Sequence, residues 1–411
     1  MTNNTVLATK RNKTKNWFRS LGPGLITAAL VFGPSKMTIT SKLGAEYGYA
    51  LLWIIVVAIF FMIVFTSMAA RIGLATNQSL LLSIRQKFGR PYAIGVGVGV
   101  FLVCTSFQAG NAIGVGIAIG EMTHTSPVPW NIVFTLLGIG LLFFRTFYNV
   151  LAKVMIWLIG VMLLAFITTL LMVKPQANEV ITGLTPAIPT GSLILVIAFM
   201  ASCVSIVGAF YQSYLVQERR RISKDLSQTN NGSVTGIIIL GIMSAIVLIC
   251  AATVLHPRGI KLASASDMSK ALEPMFGSYA SVIFLTGLFG AAFSSIIGNA
   301  TVGGTLLGDA LGYGSQLNSK RIKYLIATVM LIGTVIAIIF GKLPLNLIVF
   351  AQSITIFIVP FIGIVMYLIA NDEKLMGAMK NSITTRLIAG LGLLMIIALA
   401  LINGKDLFFK H

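Results

Sequence analysis

Residues 22–53, GPGLITAALVFGPSKMTITSKLGAEYGYALLW, decide how this chain folds. An apolar run long enough to enter a bilayer is cut in its middle by Phe32-Gly33-Pro34-Ser35-Lys36 and then resumes. Pro34 has no amide hydrogen to donate, and the residue before a proline avoids helical angles, so a helix here opens at Gly33. The opening falls near mid-membrane. Non-helical backbone at that depth survives only where protein buries it or where it lines a wet cavity.

The rest of the chain has the same character. Of 411 residues, 56% are hydrophobic and only 10% charged, which excludes a water-soluble globule. A membrane span needs roughly 20 apolar residues as a helix. Eleven such spans are predicted, at 21–46, 50–73, 92–120, 128–147, 149–173, 191–217, 233–255, 278–307, 322–341, 344–370 and 386–404. They make an all-α integral membrane protein with one transmembrane domain over 20–404. A polar tail, 1–19, precedes it and a short one, 405–411, follows. The three cysteines, Cys104, Cys203 and Cys250, lie in apolar runs without the spacing of a metal site or a disulfide framework.

Lys and Arg outnumber Asp and Glu by 30 to 11, a formal charge of +19. In so apolar a chain, these cations read as topology signals rather than a nucleic-acid surface, because translocated short loops are poor in them. With the N-terminus inside, 21 fall on the cytoplasmic side and seven outside, and an odd number of spans leaves the C-terminus extracellular. The predicted location is the cell membrane. Lys36 and Lys42 belong to neither side, since both lie within the first span.

The sixth span carries a softer interruption, with Ser202, Ser205 and Gly208 among apolar neighbours. Broken helices in corresponding halves of a membrane protein point to the central site of a transporter. At this level the chain resembles the Nramp-type divalent metal transporters. Residues 22–53 are similar to that family's first span, whose break reads Asp-Pro-Gly-Asn. SIRQKFGRP (83–91), YQSYLVQER (211–219), VFAQSITIFIVPF (349–361) and NDEKLMGAMKN (371–381) are similar to later segments of it. The resemblance implies the LeuT-type architecture: spans 1–5 and 6–10 as inverted repeats, helices 1 and 6 broken, and an eleventh span added.

The family's site residues are changed. Its Asp falls on Gly33, Pro34 is kept, its Gly falls on Ser35 and its Asn on Lys36. Its Met-Pro-His falls on Ser205, Ile206 and Val207, and its third-span carboxylates fall on Cys104 and Phe107, while Gln352 is retained. Only two of the eleven acids, Glu46 and Asp309, approach a span, and the three histidines lie in loops or the tail. A dehydrated divalent cation seeks carboxylate oxygen, or imidazole and thiolate if it is softer. The spans offer neither, and they do offer Lys36. A cation at the bilayer centre is costly enough to be a functional-site hypothesis by default.

The expectation drawn from these residues is an inverted site: a secondary transporter for a small inorganic anion, bicarbonate first, working by alternating access. Lys36 supplies the counter-charge there; the break residues Gly33, Pro34 and Ser35, together with Ser205, Gly208 and Gln352, complete the substrate contact set. No metal ligand, cofactor or catalytic residue is predicted, and the partners are the ion and the lipid bilayer. Three alternatives stand beside it. The chain carries a divalent metal such as Mn²⁺ or Mg²⁺ through backbone carbonyls and retained water; it is a sensor or scaffold that transports nothing; or Lys36 merely snorkels toward water. An intramembrane enzyme is disfavoured, because no nucleophile with its base appears at membrane depth.

Overall fold

The computed structural model describes residues 31–144, 147–203, 205–222, 229–262, 267, 273, 277–340 and 345–409. The described chain is helical throughout, joined by short turns. Among the described residues eight helices are long and apolar enough to cross a membrane, or nine if one bent pair at Thr355–Ala370 and Glu373–Met379 counts as a span. The expected first span is seen only as its second half, α1 (Pro34–Tyr47). The expected fourth span is the shorter apolar helix Pro127–Leu142. The tail expected at 1–19 lies outside the described residues, and the last helix, Ile383–Phe409, runs on through most of the tail expected at 405–411.

After α1 the chain continues through α2 (Leu52–Ala75), α3 (Leu80–Phe88), α4 (Arg90–Thr123), α5 (Pro127–Leu142), α6 (Phe147–Val173) and α7 (Ala177–Thr182). Then follow α8 (Leu193–Cys203), α9 (Ile206–Ile222), α10 (Thr229–Val254), α11 (Ser278–Ala310), α12 (Lys320–Phe340) and α13 (Leu345–Ala370). The pair α4 and α11 forms the centre of the bundle, and small residues allow it. A β-carbon added at Gly97 would stand 2.3 Å from that of Ala310, and one at Gly303 would stand 2.8 Å from that of Cys104. Without a hydrophobic drive between helices in lipid, such close approach supplies the dispersion contact that holds them.

The loops sort to two ends. At one end Arg71 donates to Asn381 Oδ1 (2.7 Å), Gln217 donates to the Gln78 carbonyl (2.7 Å), and Lys87 pairs with Asp372. There the Tyr214 hydroxyl also donates to Asp309 Oδ2 (2.7 Å) while accepting the Leu81 amide (3.2 Å). At the other end the Tyr49 and Thr253 hydroxyls share a hydrogen bond (2.6 Å), and Trp53 Nε1 donates to the Ala187 carbonyl (2.9 Å). His256 Nδ1 lies 3.0 Å from the Ala45 carbonyl, which can only accept, so this nitrogen carries the proton.

Candidate functional site

The two interrupted helices meet at a cavity of about 70 Å³ in the middle of the bundle. α1 begins at Pro34, where the missing amide hydrogen and fixed φ suit a first helical position. Gly33 precedes it with extended backbone (φ −101°, ψ 175°), a conformation open to any residue. Glycine is required there for room. A β-carbon at Gly33 would lie 2.8 Å from Asn111 Oδ1 and 3.0 Å from Ser295 Oγ. The second break is built differently. α8 ends at Cys203 and α9 starts at Ile206, with Ser205 between as the cap: its Oγ accepts the Gly208 amide (3.2 Å) and its carbonyl accepts that of Ala209 (2.8 Å).

Of the residues singled out from sequence, Gly33, Ser35, Lys36 and Ser205 line the cavity, as do Cys104 and Phe107. Lys36 is only 2% exposed and its Nζ is buried without a hydrogen-bond partner among the described residues, so it does not snorkel to the surface. Pro34 turns away and packs on α4, where a β-carbon at Gly114 would stand 2.3 Å from its ring. Gly208 is not on the cavity wall, and its amide is held by Ser205. Gln352 sits in α13 with its side chain outside the described residues; Thr355, one turn further, is on the wall. Lys42 pairs with Glu46 at 3.2 Å in the second half of α1, away from the cavity.

Asn111 and Asn299, on α4 and α11, complete the polar wall, and the sequence reading passed over both. Neither is ionisable; the signal along the chain that marks them is a carboxamide in an apolar helix, which is also costly to bury without a partner. Among the described residues no three of His, Cys, Asp and Glu gather in a metal-holding group. Asp309, the acid expected near a span end, is half-buried, lies off the cavity wall and accepts the hydrogen bond from Tyr214. The cavity thus presents hydroxyl and amide groups, one ammonium and apolar side chains such as Val103, Val207 and Val302.

Comparison with known proteins places this geometry. The profile of the natural resistance-associated macrophage protein-like (Nramp) family matches residues 24–404. A Chromohalobacter salexigens protein named divalent metal cation transporter MntH is 26% identical over 408 residues, spanning 96% of this chain and 92% of its own. A crystal structure of the Eremococcus coleocola manganese transporter superposes with a TM-score of 0.78 at 18% identity, covering 97% of this chain and 89% of that one. The LeuT-type fold is seen again in MhsT bound to L-phenylalanine, with a TM-score of 0.60, 15% identity and coverage of 92% and 98%.

These findings correct the expectation of bicarbonate carriage, since the relatives are named for divalent metal cations and manganese. The physical reason lies in what the electrostatic reading left out. It places Gly208 in the contact set of an anion, yet the Gly208 amide is already satisfied by Ser205. It also equated loss of charged ligands with loss of cation binding, while neutral oxygens and retained water can hold a hard cation.

Proposed function

Because the chain belongs to the Nramp family, we propose that it is a multi-pass membrane transporter that moves a divalent metal ion such as Mn²⁺ or Mg²⁺ through the cavity where its two broken helices meet. The observation that supports this reading is the cavity's position between the breaks and its lining of neutral oxygens, in a chain whose relatives are named for that cargo. Ser35 and Ser205 offer hydroxyl oxygens. Gly33 opens the backbone beside them, Pro34 fixes where the helix resumes, and Gly208 anchors the cap of the second break. Gln352 belongs to the same proposed contact set on α13. The membrane is the cell membrane, with the basic end of the bundle, which carries Arg71, Lys87 and Arg220, facing the cytoplasm.

Lys36 dictates the form in which the metal passes. A bare dication about 6 Å from an ammonium is repelled by about 5 kcal/mol at an effective dielectric of roughly 20. An ion that keeps part of its water shell stays further away and is better screened. Mg²⁺ releases water reluctantly and is bound through few protein oxygens, which suits such a site. A cavity of about 70 Å³ has room for an ion with some of its water.

The test is uptake of Mn²⁺ and Mg²⁺ into liposomes holding the purified protein, beside protein-free liposomes. Saturable uptake is expected, and Lys36→Met should lower KM by about tenfold or more, because it removes the repulsion. No protein-dependent entry of any divalent ion would overturn the reading. So would loss of uptake in a well-folded Lys36→Met protein, which would mean that the cargo requires the ammonium.

A further inference from the structure

The family's break-side carboxylate has no space here, and two carboxamides stand around the position it would have used. The oxygen of Asn111 lies 2.8 Å from where a β-carbon at position 33 would emerge, so it occupies the volume that an acidic side chain there would have needed. Asn111 itself is 4% exposed and on the cavity wall.

Asn299 faces the same space from α11, and its orientation is fixed by a relay of hydrogen bonds. Gln108, buried on α4, donates from Nε2 to the Ile296 carbonyl (3.0 Å), which turns its Oε1 toward Asn299. Asn299 Nδ2 then donates to that oxygen (3.1 Å) and to the Cys104 carbonyl (2.5 Å). A backbone carbonyl only accepts, so the amide nitrogen must lie on this side. Both its hydrogens are used, and the oxygen is the group left to the cavity. Gly333 of α12 keeps Gln108 in place: a β-carbon there would stand 2.3 Å from Gln108 Cγ.

Resting on the metal-ion reading above, we infer that Asn299, aimed by Gln108, and Asn111 select the cation, supplying two neutral amide oxygens from α4 and α11 in place of charged ligands at the break. Amide oxygen is a hard ligand. It suits Mg²⁺, Mn²⁺ and Ca²⁺, whereas softer ions prefer imidazole or thiolate. Two neutral oxygens hold a partly hydrated ion loosely, as release to the far side requires, and they add no carboxylate for Lys36 to bind in the ion's absence. Asn299 and Asn111 touch the ion, while Gln108 is a positioning residue.

The experiment measures KM and kcat for Mg²⁺, Mn²⁺, Ca²⁺ and Zn²⁺ in liposomes for the parent protein, Asn299→Ala, Asn299→Asp, Asn111→Ala, Gln108→Met and Gln108→Glu, each first checked for monodispersity. Asn299→Asp exchanges both donated hydrogens for a carboxylate beside the Cys104 carbonyl and Gln108 Oε1 and offers Lys36 a partner, so it should raise KM for the hard ions by about tenfold although it adds a charge, because the oxygen is no longer aimed. Asn299→Ala and Asn111→Ala should raise KM and narrow the margin over Zn²⁺. Gln108→Met should raise KM by about tenfold with kcat nearly unchanged, in the way that losing a ligand's supporting partner does, and Gln108→Glu, which keeps the accepting oxygen, should recover part of it. If the parent protein moves divalent ions and the Asn299 variants leave KM and the order of ions unchanged, the inference is overturned alone. If it moves none, the metal-ion reading and this inference are overturned together.

Discussion

The two interruptions that meet at the cavity reach the same result by different means. The first, at Gly33-Pro34, is made by covalent chemistry and held by neighbours: proline withholds a hydrogen, and its ring beds against Gly114 while Gly33 sits under Asn111 and Ser295. The second has neither proline nor glycine between its helices. It replaces lost helical hydrogen bonds with a single serine cap, through Ser205 Oγ and the Gly208 amide. The comparison teaches that a helix can be opened at membrane depth either by forbidding its hydrogen bonds or by offering a substitute. The first kind depends on tertiary fit and the second on one hydroxyl.

That contrast can be broken in order of effect. Gly114→Ala drives a β-carbon to 2.3 Å from the Pro34 ring, which is rigid and cannot swing aside. A loss of about 1–3 kcal/mol is expected, read as a lower thermal midpoint of the purified protein in detergent. If fit to Pro34 is the cause, Pro34→Ala in the same chain should recover part of it, with a coupling of about 0.5–3 kcal/mol; simple additivity would refute the contact. Gly33→Ala meets the ends of two side chains, at 2.8 and 3.0 Å, and Ser295 Cβ at a milder 3.3 Å, so its expected cost in stability is smaller, and its main effect is to displace the Asn111 oxygen and raise KM for the metal.

At the second break Ser205→Ala should cost about 1 kcal/mol as a lost cap, and Ser205→Gly only a few tenths. Equal losses for both would mean that Ser205 is more than a cap. The smallest effect lies far from both breaks, at the Lys87–Asp372 pair. The hydrogen bond that Asp372 accepts from Lys87, helped by those from the Leu375 and Lys374 amides, holds its carboxyl below the ordinary value. A depressed folded-state value means that the stabilisation is present above the unfolded carboxyl's range and is lost as pH falls through the folded value. Asp372→Asn should therefore lower stability at neutral pH by less than about 1 kcal/mol, by less still in high salt, and make no difference in strong acid.

Membrane residence and most of the helix pattern were legible from runs of apolar residues, because lipid forces every backbone group to be satisfied within its own helix. The first break was legible for the same reason that it exists: Pro34 carries its constraint in its own ring. Lys36 was found because a charge in an apolar run is conspicuous, and the structure brings it to the cavity wall. Asn111, Asn299 and Gln108 were not found. Each is one of several uncharged polar residues in the spans, and nothing along the chain says which of them face one another. Pro34 and Gly208 were assigned to ligand contact, whereas the packed chain uses one against Gly114 and the other within a cap.

The sequence by itself determined that the chain is a bundle of membrane helices with an opening at Gly33-Pro34, since hydrophobicity and proline geometry act locally. Only the tertiary structure decided what surrounds that opening. It set an oxygen from α4 against Gly33 and turned the Asn299 amide through Gln108 on a neighbouring helix. Both contacts join residues far apart in the chain, and their directions follow from close packing and hydrogen-bond pairing, which exist only once the helices have met.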